Sequence, residues 1–519
     1  MAEIAKGVRS FTIGTAISRV MGLVRELVFA VLFGASNSMD AFNAAFRIPN
    51  LLRDLFAENA LSAAFVPVLT EQRQKSQDAA NRFAANILNT LFLVVGVVTI
   101  AGIFLSPWLA RFIAPGFVGI PGKLSLTGRL TAIMFPFLLF IALAAWAMSF
   151  LNTEGAFFIP SVAPALFNVF SILTPLGLMV YYTKKGGNPI FGAAIGVIVG
   201  GLMQFMVQGP AVWRRGFRYR PYLSFRDPAF RKAMALFLPV AIGLAGSRIN
   251  FFVNTMLVTT LPQGSLSWLT YAFRIQHLPL GLFGIAVGTV ALPSFSRFVT
   301  ENQLDDLRKT LFDSLKIVLF LTVPTSVLMA VLSSPITSVI YEHGRKFKAA
   351  DTAATAAVLA LYMFSVPFVS ALRNVAGVFY AFKDATSPLV ASFVGVVLNI
   401  ALNLSLKGLL GLRAFPLSVT IAAFVNLLIL YLWLPRKIGP FGHKPLLKYL
   451  GLLILASLAG GGAAGALFYL LRSAAGTSFF VKLAGVVFCG GAGLLVFYGA
   501  CRLLGVHEVR AFVKRFMKI

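Results

Sequence analysis

The chain has 519 residues, of which 58% are hydrophobic and 12% charged, and its mean hydropathy is +0.85. A soluble globular domain is near half apolar and about a quarter charged, so this composition excludes one and calls for an all-α polytopic membrane protein. Forty-five Lys and Arg against 17 Asp and Glu give a net charge of +28; in a soluble protein this would suggest nucleic acid, but here the surplus lies largely between apolar runs, so no nucleic-acid partner is expected.

Fourteen spans are predicted, at about 9–33, 40–70, 83–110, 127–152, 159–183, 189–213, 232–261, 267–296, 310–341, 354–382, 387–408, 414–435, 447–471 and 478–504. Unbroken apolar runs such as Ile87–Leu105 and Leu450–Leu471 are of bilayer-crossing length. The alternating segments of a membrane barrel are absent. MAEIAKGVRSF leads straight into the first span, so no cleavable signal peptide is expected. An even span count places both termini on one side. Loops on that side hold most of the basic residues, including Arg73, Arg82, the 214–232 cluster, Lys383, Arg436 and Lys437, whereas the opposite side has fewer, Lys123 among them. Both termini are therefore expected in the cytoplasm. The cluster WRRGFRYRPYLSFRDPAFRK, Trp213–Lys232, reads as a cytoplasmic loop, with contact to anionic lipid as the alternative. Cys489 and Cys501 both fall in the last span and indicate neither a disulfide framework nor a metal site.

Two copies of one pattern recur about 228 residues apart. Ser18-Arg19, Ala45-Phe46-Arg47-Ile48, Pro67 and Pro160 are answered by Ser247-Arg248, Ala272-Phe273-Arg274-Ile275, Pro293 and Pro388. A repeat of six helices is a signature of secondary transporters, and six being even, the two copies share one orientation. The expected organisation is a lobe at 1–220 (helices 1–6), a second at 221–440 (helices 7–12), and an appendage at 441–519. That appendage holds helices 13 and 14 and a basic amphipathic tail suited to the inner leaflet.

Intramembrane charge concentrates in the first two spans. Arg19, Arg25 and Glu26 lie in span 1; Asp40, Arg47, Asn50, Arg53, Asp54 and Glu58 lie in span 2. An arginine within a span costs about 3 kcal/mol or more unless it faces a polar cavity. Asp40, Arg47, Asp54 and Glu58 follow at seven, seven and four residues and share a helix face. Pure ion pairing could account for the acids. It accounts less well for the arginines, since Arg19, Arg25, Arg47, Arg53, Arg248 and Arg274 outnumber the four acids of the same regions. Guanidinium groups bind phosphate bidentately and do not deprotonate, so a phosphate-bearing anion is the natural complement.

The stretch SRVMGLVRELVFAVLFGASNSMDAFNAAFRIPNLLRDLFAENALSAAFVPVLTE resembles the N-terminal signature of the MurJ (MviN) lipid II flippases of the MOP superfamily. The likeness continues through SWLTYAFRIQHLPLGLFGIAVGTVALPSFSR and FYAFKDATSP. It implies a non-enzymatic flippase carrying undecaprenyl-pyrophosphate-linked peptidoglycan precursor from the inner to the outer leaflet of a bacterial inner membrane. It further implies that Arg19, Arg25, Arg53 and Arg274 are the required cavity arginines, with Asp40 and Asn50 at the polar span-2 positions. This chain departs from the family pattern at Phe273 and His277, which stand where acids are usual. His277 is either an interior histidine or a protonatable cavity group.

Asn250 and Asn254 in span 7, and Asn399 and Asn403 in span 11, are i, i+4 pairs. They serve either helix-to-helix hydrogen bonds or an oxygen site for Na+; coupling to Na+ or H+ is expected, with no other cofactor, and the chain is expected to act as a monomer. Flipping of another polyprenyl-pyrophosphate oligosaccharide is the nearest alternative. A multidrug or cation antiporter would want acidic cavity walls instead. No HExxH motif and no Ser–His grouping supports a membrane enzyme.

Overall fold

The structure, a computed structural model, describes residues 2–57, 59–471 and 478–506, without the side chains of 2–12, 54–57, 59–60, 242–248, 285–286 and 443. Among the described residues every regular element is helical. This is what lipid demands: a backbone N–H or C=O facing hydrocarbon must find its partner within its own segment.

Contacts divide the chain into two compact units, Met1–Ser267 and Trp268–Ile519. The first holds α1 (Ala2–Phe33), α2 (Asn37–Ala57), α3 (Asn59–Lys75), α4 (Gln77–Ile113), α5 (Lys123–Met134), α6 (Pro136–Thr153), α7 (Phe158–Lys184), α8 (Ile190–Met206), α9 (Gly209–Arg214) and α10 (Pro228–Val258). The second takes up α11 (Ser265–Pro279) from Trp268 onward, then a π-helical turn, Leu280–Ile285, and α12 (Ala286–Thr300). It continues with α13 (Leu304–Val331), α14 (Ser333–Tyr341), α15 (Ala349–Met363), α16 (Ser365–Ala381), α17 (Thr386–Leu410), α18 (Ala414–Trp433), α19 (Pro435–Ile438), α20 (His443–Leu471) and α21 (Phe479–Leu503).

Ten helical segments among the described residues are long and apolar enough to cross a membrane. One of them, Thr386–Ile438, contains both α17 and α18, which the sequence reads as two spans. The predicted spans 9–33 and 40–70 are not among the ten; both are rich in charge, and the second falls on two helices, α2 and α3. The predicted span 232–261 falls largely on α10, whose described side chains include the short apolar segment Ile249–Val258. Span 127–152 is broken at Phe135, where Pro136 starts α6. Proline lacks the N–H that would have bonded back one turn, so a new helix starts there.

The first unit is packed around large rings. Phe65, Phe117, Phe135 and Phe137 are all fully buried. Gly102 of α4 faces the Phe135 ring so closely that a Cβ would sit 2.0 Å from it, which fixes glycine at that crossing. In the second unit the core gathers Phe295, Leu315, Val318, Val375, Phe379 and Leu453. The small-residue run of α20 packs α20 on α21 and on α13. A Cβ on Gly460 would lie 2.6 Å from the Gly493 carbonyl, and one on Gly461 would lie 2.6 Å from Val327.

The internal repeat reappears in backbone hydrogen bonds. Past the end of α6, Gly155 has φ 70°, its N–H donating to Asn152 O (3.1 Å) while Ala156 N–H donates to Leu151 O (2.9 Å). Past the end of α16, Lys383 has φ 59°, its N–H donating to Tyr380 O (2.9 Å) while Asp384 N–H donates to Phe379 O (2.9 Å). Each residue of the second set lies 228 positions after its counterpart in the first. A left-handed residue closing a helix in this way is the Schellman arrangement.

Candidate functional site

The arginines of the first unit lie along α1 and α2. Arg19 is exposed. Arg25 donates to the Glu26 carboxylate at 2.7 Å, and its guanidinium lies over the rings of Phe167 (5.4 Å) and Phe29 (5.9 Å). Arg47, two residues before the Pro49 that lies within α2, has its guanidinium 4.1 Å from the Phe251 ring centroid. Asn50 and Arg53 follow on the same helix and are half-buried. Glu58 lies outside the described residues, as does the side chain of Asp54.

Asp40 does not join this set. The helix places it seven residues, roughly 10 Å, from Arg47, and its carboxylate is taken up by other groups. It accepts Lys123 Nζ at 3.1 Å, the Gly264 N–H at 2.8 Å, the Ser267 N–H at 3.0 Å and the Ser267 hydroxyl at 2.7 Å. Both members of the ion pair are almost fully buried, Asp40 at 2% exposure and Lys123 at 3%. Lys123 also rests 4.0 Å from the Phe117 ring. Sequence reasoning assigned Lys123 to an outer loop. The signal that could have flagged it is its place as the first residue of an apolar helix, directly after Pro121-Gly122.

In the second unit, Arg274 and His277 are exposed on α11. The two residues that depart from the family pattern touch each other: the Phe273 and His277 rings are 4.0 Å apart, and His277 Nδ1 is 2.9 Å from Phe273 O. Their neighbour Gln276 is buried and donates to Ser365 Oγ at 2.7 Å. Arg373 of α16, which sequence reasoning passed over, is exposed within the predicted span 354–382, close to Gly288 of α12.

The asparagine pairs fall in different units. Asn399 and Asn403 are buried on α17, and Asn403 Nδ2 donates to Asn399 Oδ1 at 3.0 Å. Asn250 and Asn254 are half-buried on α10. Among the described residues no three His, Cys, Asp or Glu side chains gather as a metal site would require.

The basic cluster 213–232 is a packed loop. Lys232 donates to Glu71 (2.5 Å), Arg220 to Asp78 (2.5 Å), and Arg215 to the Glu154 carbonyl, while Arg73 pairs with the Glu154 carboxylate. Asn86 and the Ser224 backbone exchange two bonds of 2.8 Å. The hydrogen bond from Lys232 lowers the Glu71 pKa below its usual value.

Membrane-length apolar helices and arginines gathered on α1 and α2 narrow the class. The fold matches a multidrug-resistance MATE family transporter of the MOP superfamily in an inward-facing conformation, with a TM-score of 0.68 and 14% identity, covering 85% of this chain and 99% of that one. The chain is thus a polytopic membrane protein with a MOP-type transporter fold. A structure of the lipid II flippase MurJ in an inward closed conformation superposes with a TM-score of 0.78 at 28% identity, covering 97% of this chain and 99% of that one. The family model "Lipid II flippase MurJ" matches residues 29–485. Relatives include a probable lipid II flippase MurJ of Vibrio cholerae, 35% identical over 80% of each chain, and the lipid II flippase MurJ of Burkholderia cenocepacia, 32% identical over 83% of each. The chain belongs to the MurJ family of lipid II flippases.

Proposed function

We propose that this chain carries lipid II, the undecaprenyl-pyrophosphate-linked peptidoglycan precursor, from the inner to the outer leaflet of the bacterial inner membrane by alternating access. The observation that carries the reading is a charge balance. Lys123 already offsets Asp40, which leaves Glu26, Asp54 and Glu58 in the sequence to set against Arg19, Arg25, Arg47, Arg53, Arg248 and Arg274. A pyrophosphate supplies the missing negative charge. Planar guanidinium groups grip its oxygens two at a time, while the polyprenyl tail stays in lipid. An inside-negative potential favours outward movement of an anion by about 2.3 kcal/mol per charge per 100 mV.

In this reading the termini are cytoplasmic, the chain acts alone, and Arg274 and Asn50 contribute to the same anion path. Coupling to Na+ would draw on an oxygen-bearing pair, Asn250 with Asn254 or Asn399 with Asn403; coupling to H+ would draw on the protonatable His277. The test is complementation after depletion of the native protein, combined with an assay of which leaflet the lipid-linked precursor occupies. Arg25→Lys and Arg53→Lys keep the charge and lose the fork, so both should fail to move the precursor outward. Normal growth of both at matched protein levels overturns the pyrophosphate clamp.

A further inference from the structure

The turn that joins α16 to α17, together with the junction of α18 and α19, encloses a recess of about 260 Å³. Its polar walls are Thr386, Ser387, Trp433, Arg436 and Lys437. Lys437 is held by Asp384 at 2.9 Å, and the Ser387 hydroxyl also donates to Asp384, at 2.8 Å. Three further donors have no partner among the described residues: the Arg436 guanidinium, the Thr386 hydroxyl and the Trp433 indole N–H. They converge at the first turn of a 25-residue helix, whose dipole adds to the attraction for an anion.

The repeat provides an internal control for what this turn needs in order to fold. The same backbone turn in the first unit has Phe158 and Ile159 where the second has Thr386 and Ser387. Its α8–α9 junction, residues 205–211, is Phe-Met-Val-Gln-Gly-Pro-Ala and carries no charge in any register. There Gln208 is buried and donates to Ala144 O, and Phe217 packs edge-on against the stacked pair Trp146 and Phe150. Arg215, just past α9, does reach the first-unit turn at the Glu154 carbonyl, so fold accounts for one cation here, the Lys437 held by Asp384, and not for Arg436 or the two hydroxyls. FYAFKDATSP, which carries the two hydroxyls, takes no part in the arginine path either.

We propose that this recess binds the phosphate of an anionic phospholipid of the inner leaflet. Three features favour a lipid over a free anion. The recess lies at the ends of three apolar helices, on the side expected to face the cytoplasm, where basic pockets between helices take acidic head groups. Trp433 suits the interfacial layer. From Val390 on the recess wall, exposed apolar residues continue along one face of α17 through Phe393, Val394 and Val397, giving an acyl chain a surface to follow. The site is independent of the flippase reading, since it lies on other helices and uses none of the arginines assigned to the substrate.

Native mass spectrometry of the full-length chain in detergent tests this with three probes: phosphatidylglycerol, phosphatidylcholine and inorganic phosphate. The wild type should retain phosphatidylglycerol preferentially. Arg436→Gln, at an exposed position, should weaken that retention about ten-fold, the equivalent of one charge-assisted hydrogen bond, and leave phosphatidylcholine unchanged. Thr386→Val should produce a smaller loss with the same selectivity, and serves if Arg436→Gln does not accumulate. An unchanged preference in both variants overturns the site. So does displacement of phosphatidylglycerol by inorganic phosphate, which would make it a free-anion site. Loss of growth complementation with lipid retention intact would count against the flippase reading and leave this one standing.

Discussion

Asp40 of α2 meets Lys123 of α5 in the first unit, and Trp268 of α11, the helix that repeats α2, meets Asp351 of α15 in the second. In the first, the Asp40 carboxylate receives the Lys123 ammonium at 3.1 Å, both groups almost fully buried. In the second, the Trp268 indole N–H donates to Asp351 at 2.9 Å, both partly exposed, and Asp351 also caps α15 by accepting the Lys348 N–H at 2.8 Å. The two units join the corresponding helices with different chemistry. The consequence is energetic. A buried ion pair adds little over an apolar pair but is expensive to break one partner at a time, whereas a half-exposed hydrogen bond is worth about 1 kcal/mol.

The sharpest way to break this comparison is Asp40→Leu, which strands a buried ammonium and removes the acceptor of Gly264 and Ser267. It should cost about 3–5 kcal/mol and prevent accumulation in the membrane, read by immunoblot of membrane fractions. The double variant Asp40→Leu/Lys123→Met should recover much of the protein; a double as poor as the single would show that the charge is not what matters. Next in size, Trp268→Phe should destabilise by about 1 kcal/mol, seen as a modestly lower melting temperature in detergent. A loss as large as that of Asp40→Leu would erase the distinction between the units.

The repeated turn offers a finer contrast. Gly155→Ala forces a side chain into a left-handed backbone and should cost about 1 kcal/mol, while Lys383→Gly relieves that same strain, partly offset by unfolded-chain entropy, for a net gain of about 0.5 kcal/mol. Opposite signs in thermal melts are the expected outcome. The smallest effect concerns Asp384, whose first-unit counterpart is Ala156. The Ser387 N–H, then Lys437 and the Ser387 hydroxyl, lower the Asp384 pKa from 3.8 to about 2. A depressed carboxyl contributes stability above its unfolded pKa and loses it as pH falls through the folded value. Wild type should therefore lose a small increment of melting temperature between pH 3.8 and about 2 that Asp384→Asn does not show.

Class, repeat and arginines were all legible because each is a local or periodic signal: composition, a 228-residue echo, guanidinium groups inside apolar runs. The partner of Asp40 was not. Lys123 lies 83 residues away and looks, in one dimension, like any charge at a helix end. Seven-residue spacing placed Asp40 and Arg47 correctly on one face, but sharing a face is not contact. The π-helical turn at Leu280–Ile285 was equally hidden, since LGLFGI is as apolar as any α-helical stretch. Arg373 went unremarked because it stands alone in its span and has no counterpart in the repeated pattern.

The spacing of the Asp40 cage also bears on biogenesis. Lys123 is synthesised 83 residues after Asp40, and Gly264 follows 224 residues after it. At about 5–20 residues per second, α2 waits roughly 4–17 s for its counter-charge. During that interval the nascent helix carries an unneutralised carboxylate along with Arg47 and Arg53. Such a segment partitions poorly into hydrocarbon by itself, so α2 is expected to become embedded only once α5 has followed. A ribosome-bound intermediate ending before residue 123 should still leave α2 extractable by carbonate, and one extended past it should not.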